Sequence, residues 1–356
     1  MISKDFFKAL DVLADERKIE KEKVLEIFGR GLINAYKKAY NGKTNVEIIF
    51  NEEKAEILLI AKSLVVAEIS LDAEEGSQIL LDDAKKIKKT ARIGDTIEQK
   101  VTPKNFGRLA ASSAKQILTQ GLKQLERERN FDIFTDKTGE MIIAEVTRVN
   151  DEFVTLSLGY DTETSIPAKD LLKEDVFLGN QIRVYITKVE ETTKGPKVYV
   201  SRTDRNLVKR LMENAIPELQ NGVIEIRGLS RDAGDRCKVC VASNNPEVDP
   251  VGACLGRNGS RIKDVIDNLN GEKIDIYKYS DNPKELVSNS LQPARTLLVQ
   301  INEMLKSALV VVPDDQLSLA IGKKGQNARL AVQSCGWKID IKSASDARIQ
   351  GIEVEE

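Results

Sequence analysis

Apolar residues recur at helical spacing through the start of the chain, which predicts two amphipathic helices, over residues 3–17 and 19–40. The pair Asn41-Gly42 breaks this pattern. Alternating β-rich runs then predict strands over residues 46–50, 55–61, 64–69 and 96–101. Helical spacing returns in a basic segment over 82–92 and a long segment over 106–131. The pattern predicts an N-terminal α/β domain over residues 1–134 that ends in a long connecting helix.

One pattern occurs twice in the second half of the chain. Helix, strand, strand and helix lead to Gly256-Arg257-Asn258-Gly259, which a further helix and strand follow. The same order leads to Gly322-Lys323-Lys324-Gly325, and Gly322 follows Gly256 by 66 positions. We call these tetrapeptides the first loop and the second loop. The order αββααβ predicts two tandem KH domains of type II, over residues 203–278 and 279–345.

The two glycines of each loop permit positive φ and the close approach of another backbone. The helix that follows directs its unpaired N–H groups at whatever lies against the loop. A KH domain clamps nucleotides of RNA in this way. The predicted RNA-binding residues are Gly256, Arg257, Asn258, Gly259, Arg261 and Lys263 in the first copy, and Gly322, Lys323, Lys324, Gly325, Gln326, Asn327 and Arg329 in the second.

Residues 135–202 form a separate predicted domain. Five short β-rich runs lie between turn-rich pieces, at residues 141–149, 153–158, 164–166, 181–189 and 197–201. This spacing predicts a small OB-fold barrel. Because the same chain contains the two Gly-x-x-Gly loops, an S1 RNA-binding module is favoured. Such a barrel binds single strands through aromatic and basic side chains. The candidates are Arg148, Phe153 and Tyr185, although an aromatic residue in a small barrel can equally belong to the core.

The predicted elements describe an α+β multidomain protein, and the composition is that of a globular chain without indicating a ligand. The chain has 41% apolar and 31% charged residues, and 54 basic against 56 acidic residues give a net charge of −2. Since the net charge is close to zero, an RNA footprint must be local. Residues 346–356 form a short acidic tail, which we expect to fray.

The spacing of the four cysteines and the absence of histidine argue against a metal site. Cys237 and Cys240 form a Cys-x-x-Cys, but their odd spacing in a predicted strand places them on opposite faces. No second pair or histidine completes a zinc site. We therefore predict reduced thiols, no metal and no cofactor. Since no signal core or apolar run of membrane-spanning length occurs, we expect a cytoplasmic protein without a membrane partner.

Several stretches resemble the NusA family of bacterial transcription factors. They are Asn105-Phe106-Gly107-Arg108-Leu109-Ala110 in the N-terminal domain, Asp249-Pro250-Val251-Gly252-Ala253-Cys254 before the first loop, Gly271-Glu272-Lys273-Ile274-Asp275-Ile276 after it, and Ala320 to Ala331 around the second loop. The resemblance covers nearly the whole chain.

The resemblance implies a monomeric, non-enzymatic elongation factor. In that family the N-terminal domain docks on RNA polymerase, and the S1-KH-KH array binds nascent single-stranded RNA. The factor thereby modulates pausing, intrinsic termination and, with other Nus factors, antitermination. The acidic C-terminal repeats of some members have no counterpart here, so we expect no contact made through them.

Two alternatives remain open from the sequence. One is an RNA-binding factor for ribosome assembly. The other is a ribonuclease subunit, since some exonucleases combine KH and S1 modules. The order of modules, the short N-terminal region and the lack of histidine for acid-base chemistry disfavour the ribonuclease.

Overall fold

A computed structural model of the chain describes residues 4–17, 19–40, 45–51, 54, 56–70, 72–73, 76–103, 105–172 and 175–353. It divides into two compact units, Met1–Arg129 and Asn130–Glu356. The predicted break at Asn41-Gly42 lies outside the described residues. No helix in the part of the chain that the structure describes is both long enough and apolar enough to cross a membrane.

The first unit is an α/β domain, as predicted. Its elements are α1 (Lys4–Arg17), α2 (Lys21–Tyr40), β1 (Val46–Asn51), β2 (Glu56–Val66), β3 (Gln78–Leu80), α3 (Leu81–Ile87), β4 (Thr96–Lys100) and the start of α4 (Phe106–Asp136). Strands β1 and β4 pair antiparallel with β2, and β3 pairs parallel with it. Phe28, Leu32, Leu59 and Phe106 are buried in the main core of this unit.

Three predicted elements of the first unit differ from the structure. In place of the two runs 55–61 and 64–69 there is one strand, β2, which ends at Val66; the buried Ser63 donates from Oγ to the Gly76 carbonyl at 2.7 Å and does not break it. The basic segment is helical only as far as Ile87. Lys88 is extended, so that the chain turns and Ala91 enters a small core.

Glycine lets helices α2 and α4 approach closely. A Cβ on Gly121 would overlap the Ile27 side chain, and a Cβ on Gly31 would overlap Ile117. Both glycines have a helical backbone conformation, so their role here is to leave room for the facing isoleucine side chain.

The predicted barrel is confirmed. It comprises β5 (Met141–Val149), β6 (Phe153–Ser157), β7 (Glu163–Pro167), β8 (Gln181–Thr192) and β9 (Gly195–Ser201), in the antiparallel order β7-β6-β5-β8-β9. Thr164 Oγ1 donates to the Val198 carbonyl at 2.6 Å and links β7 to β9. The end of α4 runs beyond its predicted limit because Phe134 is buried in the barrel core.

The two αββααβ repeats are also confirmed. The first KH unit contains α5 (Arg205–Ala215), a short α6 (Pro217–Gln220), β10 (Ile224–Asp232), β11 (Arg236–Ser243), α7 (Pro250–Leu255), α8 (Ser260–Asn268) and β12 (Lys273–Lys278). The second contains α9 (Pro283–Ser290), β13 (Leu298–Asn302), β14 (Ser307–Val312), α10 (Leu317–Ile321), α11 (Gln326–Cys335) and β15 (Lys338–Ser343). In each sheet an antiparallel pair is followed by a parallel third strand.

The start of the predicted frayed tail is helical. Helix α12 (Ala344–Ile349) buries Ala344 and Ala347 against Val311. The Asp314 carboxylate accepts hydrogen bonds from the N–H and hydroxyl of Ser345, and these bonds lower the pKa of Asp314. Acidic composition gave no sign of this packing.

Candidate nucleic-acid interface

The two loops have the same backbone conformation. Gly256, Asn258 and Gly259 have φ of 73°, 55° and 72°. The second loop repeats these angles at Gly322, Lys324 and Gly325, with φ of 76°, 53° and 74°. Each third position is thus a non-glycine residue in the left-handed region, which costs about 1–2 kcal/mol. The two loops are therefore built alike, residue by residue.

The glycines of each loop have different roles. A Cβ on Gly256 would overlap the Arg261 side chain, and one on Gly322 would overlap Asn327. The second glycines, Gly259 and Gly325, have open space where a Cβ would point. The first glycine therefore lets the loop fold against its own helix, and the second leaves room for an external group.

Helices α8 and α11 begin at these open positions. Their N-cap residues are the second glycines, and neither helix start has a side-chain cap. N–H groups at a helix start that no side chain accepts are a ready anion site, and the helix dipole favours negative charge there. Each loop thus has a place suited to a phosphate.

Most predicted contact residues are exposed around this place. The exposed side chains are Arg257, Asn258 and Lys263 at the first loop and Lys323, Lys324 and Arg329 at the second. Their contact with RNA stays a prediction. The structure shows that these side chains are accessible beside the helix starts.

Arg261 has an internal role that the sequence did not indicate. Its Nη1 donates to Glu218 Oε2 and to the Ala253 carbonyl, both at 2.8 Å, and its side chain packs under Gly256. Burial acts to raise the pKa of Glu218, but a backbone hydrogen bond and the Arg261 guanidinium outweigh it and lower that pKa. We therefore reassign Arg261 to holding the first loop in place.

The prediction that the Asn327 side chain contacts RNA is wrong. This residue is 1% exposed, and its Nδ2 donates to the carbonyls of Leu291 and Ala320 at 3.1 and 2.9 Å. In the sequence, a polar residue directly after such a loop is a candidate RNA contact. Here its hydrogen bonds instead anchor the second loop to the rest of its KH unit.

Gln326 and Arg329 bind the first KH unit. Gln326 Nε2 donates to carboxylate oxygens of Asp232 and Asp235 at 2.8 and 2.7 Å. Arg329 Nη2 lies 2.7 Å from Asp232 Oδ2. Their contact with RNA stays a prediction, but their polar ends already lie against the turn between β10 and β11.

Helix α11 packs against the sheet of the first KH unit. Ser230 Oγ donates to the Leu330 carbonyl at 2.7 Å, and Tyr277 Oη donates to Ser334 Oγ at 2.8 Å. A Cβ on Gly228 would overlap the Ser334 carbonyl. Because α11 begins at the second loop, this contact fixes that loop relative to the first KH unit.

The barrel candidates separate into exposed and covered residues. Phe153 is 48% exposed on β6, and Arg148 is exposed on β5, where its Nη2 lies 2.7 Å from Glu163 Oε2. Tyr185 is partly buried, and its contact with RNA stays a prediction. It points out of the barrel, but it packs with Met141 against the core of the first KH unit.

The comparisons with known proteins match these units in the same order. The family models are the NusA N-terminal domain at residues 5–128, the S1 RNA binding domain at 135–201, and the NusA-like first and second KH domains at 202–279 and 283–349. A transcription termination/antitermination protein NusA from Bacillus subtilis is 43% identical over 352 residues, which cover 99% of this chain and 94% of the relative. The chain belongs to the NusA family. The resemblance inferred from the sequence is thereby confirmed.

Other NusA proteins are also similar. NusA from Thermus thermophilus is 34% identical over 357 residues, with 96% of this chain and 91% of the relative covered. Among solved structures, the N-terminal domain of NusA from B. subtilis is 36% identical, covers 35% of this chain and 99% of its own, and has a TM-score of 0.30.

The barrel has a further candidate surface for RNA, around Tyr199, that was not predicted from the sequence. The Tyr199 ring lies 4.8 Å from Lys197 Nζ, and Tyr199 Oη donates to Glu190 Oε2 at 2.8 Å. Hydrogen bonds from Lys188 and Tyr199 lower the pKa of Glu190. The signal was present, since Tyr199 stands between Val198 and Val200, which pack into the barrel. An aromatic ring beside exposed lysines suits a stacked base.

The two cysteines of the Cys-x-x-Cys lie in two different cores. Cys237 lies in the core of the first KH unit, and Cys240 lies in a cluster with Tyr277 and Cys335. The predicted placement on opposite faces is confirmed. Among the described residues, no group of three or more His, Cys, Asp or Glu side chains lies close enough together to hold a metal ion.

Proposed function

We propose that this chain is an RNA-binding transcription factor that modulates pausing, intrinsic termination and antitermination. The observation that carries the proposal is the pair of identical loops, each with open space at its second glycine and a helix start without a side-chain cap. The relatives support the process, since they bear the name transcription termination/antitermination protein.

RNA is held, on this proposal, by phosphates at the two helix starts and bases on nearby apolar side chains. Leu255 directly precedes the first loop, and Leu319 and Ile321 precede the second; all three are exposed. Apolar side chains beside a phosphate site suit the faces of unstacked bases. The exposed cations around the loops supply the local positive charge that the whole chain lacks.

Polymerase docking is assigned to the N-terminal domain, residues 1–134. The family match at residues 5–128 supports this assignment. Docking raises the local concentration of RNA-binding sites near the emerging transcript, so that weak contacts suffice. The factor acts as a cytoplasmic monomer without catalysis of its own, together with other Nus factors.

The test replaces the strained central residues of both loops. Asn258→Asp and Lys324→Asp add negative charge at exposed positions, and Asp tolerates the left-handed conformation better than most residues. We expect the double variant to bind a labelled single-stranded RNA at least tenfold more weakly in fluorescence anisotropy. The lost lysine should lower the slope of log affinity against log salt by about 1. Its co-purification with core RNA polymerase should be unchanged.

Lys306→Asp is the matched control. Lys306 has a φ of 45° and is exposed in the turn between β13 and β14. It therefore undergoes the same change of charge as Lys324→Asp, in a similar backbone conformation and away from both loops. Equal RNA affinity of the double variant and the wild type would overturn the proposal. Replacement of Gly256 or Gly322 is a poorer test, because any side chain there displaces Arg261 or Asn327.

A further inference from the structure

A groove of about 650 Å³ lies where the first KH unit meets the second. It is lined by residues of β12 and of the segment from α9 to the start of β13: Asp275, Ile276, Ser288, Gln292, Pro293, Ala294, Arg295 and Thr296. None of these residues belongs to either loop. We propose that the groove is a base-reading subsite, in which Asp275 accepts a hydrogen bond from the exocyclic amino group of adenine, cytosine or guanine. The inference rests on the proposed function, because it requires RNA to cross the two KH units.

Contacts connect the groove to both loops. Ile276 packs into the same core as α7, the helix that ends at Gly256. On the other side, Gln292 follows Leu291, whose carbonyl accepts a hydrogen bond from Asn327 just after the second loop. The proposal requires a strand held at both loops to pass over this groove.

Two cations hold the Asp275 carboxylate. Arg236 Nε lies 3.0 Å and Lys238 Nζ 3.4 Å from Oδ2. Lys238 is buried and also donates to the Gln292 carbonyl at 2.7 Å. Burial lowers the pKa of Lys238, and Asp275 opposes that shift. Asp275 Oδ2 is buried and makes no hydrogen bond of normal geometry, while the side chain as a whole is 22% exposed. We assign the reading role to Oδ1.

The lining of the groove suits a base better than a phosphate. A carboxylate repels a phosphate at close range, whereas it accepts well from an amino group such as cytosine N4. Exposed Pro293 gives an apolar surface for the face of the base. Ser288 and Thr296 share a hydrogen bond of 2.6 Å and offer further polar groups. Exposed Arg295 lies at the rim, where it can meet the backbone of the strand. Uracil lacks an exocyclic amino group, so the subsite selects against it.

The experiment moves a single cytosine through a twelve-nucleotide oligouridine and measures the affinity of the full chain for each RNA. Wild type should bind RNAs with cytosine at one or two adjacent positions about tenfold more tightly than oligouridine. Asp275→Asn should remove most of this preference while retaining affinity for oligouridine. Arg295→Ala, the matched control, should weaken binding to every RNA alike. Replacing the ribose at the preferred position by deoxyribose should leave the preference intact.

A second variant covers the case in which Asp275→Asn does not fold, as judged by circular dichroism. Gln292→Trp leaves the backbone carbonyl that Lys238 needs and places an indole at the groove, so it should also remove the preference. Failure of wild type to bind any RNA would overturn the proposed function. Binding without a positional preference, an unchanged preference in the folded variants, or a preference lost with the 2′-hydroxyl would overturn only the base-reading subsite.

Discussion

The Arg202 guanidinium and the Asp175 carboxylate form a buried ion pair, with Nε 2.9 Å from Oδ2 and Nη2 3.2 Å from Oδ1. Arg202 follows the last strand of the barrel, and it also donates to the carbonyls of Arg183 and Asn268 at 3.0 and 2.8 Å. Asn268 is the last residue of α8, and nearby Asn270 Nδ2 donates to Asp175 Oδ1 at 2.7 Å. One buried cation thus joins the barrel to the helix that follows the first loop.

Arg202→Met should destabilise the unit that contains the barrel and both KH repeats. It leaves the Asp175 carboxylate buried without its cation, which costs about 3–5 kcal/mol. Urea unfolding of the full chain measures this loss. Arg205→Met, at an exposed position on α5, should change stability by less than about 0.5 kcal/mol. A loss below about 1 kcal/mol for Arg202→Met would show that the pair is solvated.

Gly228→Ala should disturb the packing between the two KH units. The new methyl group overlaps the Ser334 carbonyl, so α11 must shift, at a cost of about 1–3 kcal/mol. Urea unfolding should report this cost, and affinity for an RNA that spans both loops should fall. Glu225→Ala, exposed on the same strand, is the control and should leave both quantities near wild type. Wild-type stability of Gly228→Ala would mean that the units are not held by this contact.

Gly121→Ala should destabilise the N-terminal unit, where the Cβ overlaps Ile27. Alanine gains about 1 kcal/mol in helix propensity over glycine, but overpacking costs about 1–3 kcal/mol. We expect a net loss of about 1 kcal/mol. The measurement is thermal unfolding, with Gln120→Ala as an exposed control on the same helix. RNA affinity should not change, so a weakened affinity would contradict the separate roles of the two units.

The four thiols should react slowly in the native chain. Burial raises the pKa of Cys240 and of Cys254 to about 12, and it also raises that of Cys237 and Cys335. At pH 8 a thiol of pKa 12 is thiolate only to about one part in ten thousand, and the thiolate is the nucleophile. With Ellman's reagent, half-buried Cys335 should react first, and Cys335→Ser should remove that phase. All four should react at once in guanidinium chloride, and a fast native phase of more than one thiol would contradict this burial.

Helices, strands and loops were predictable from the sequence, whereas the contacts of individual side chains with distant residues were not. Glycine spacing and apolar periodicity are local signals, so the barrel, both repeats and both loops were predictable. Asn327 is held by the carbonyls of Leu291 and Ala320, and Tyr185 is covered by another unit; no local period carries information on such contacts. Tyr185 does alternate outward from its barrel strand, but it packs there against the core of the first KH unit.

The contacts of side chains near the loops were likewise not predictable from the local sequence. Arg261 and Lys263 look equivalent in sequence, yet the first is bound to Glu218 and the second is exposed. Gln326 and Arg329 follow a loop, but both contact Asp232, which lies 94 and 97 positions earlier in the chain. Contacts over such separations cannot be read from the spacing of residue types.

The seating of α11 on the first KH sheet has a consequence for the length of RNA that the chain selects. One helix carries the second loop at its start and is bonded along its length to the unit that bears the first loop. The two phosphate sites are therefore a fixed distance apart. On the proposed function, a single-stranded stretch that is too short to reach both sites, or that is shortened by pairing into a hairpin, occupies only one of them. The chain would thus measure how much unpaired transcript is present as well as bind it.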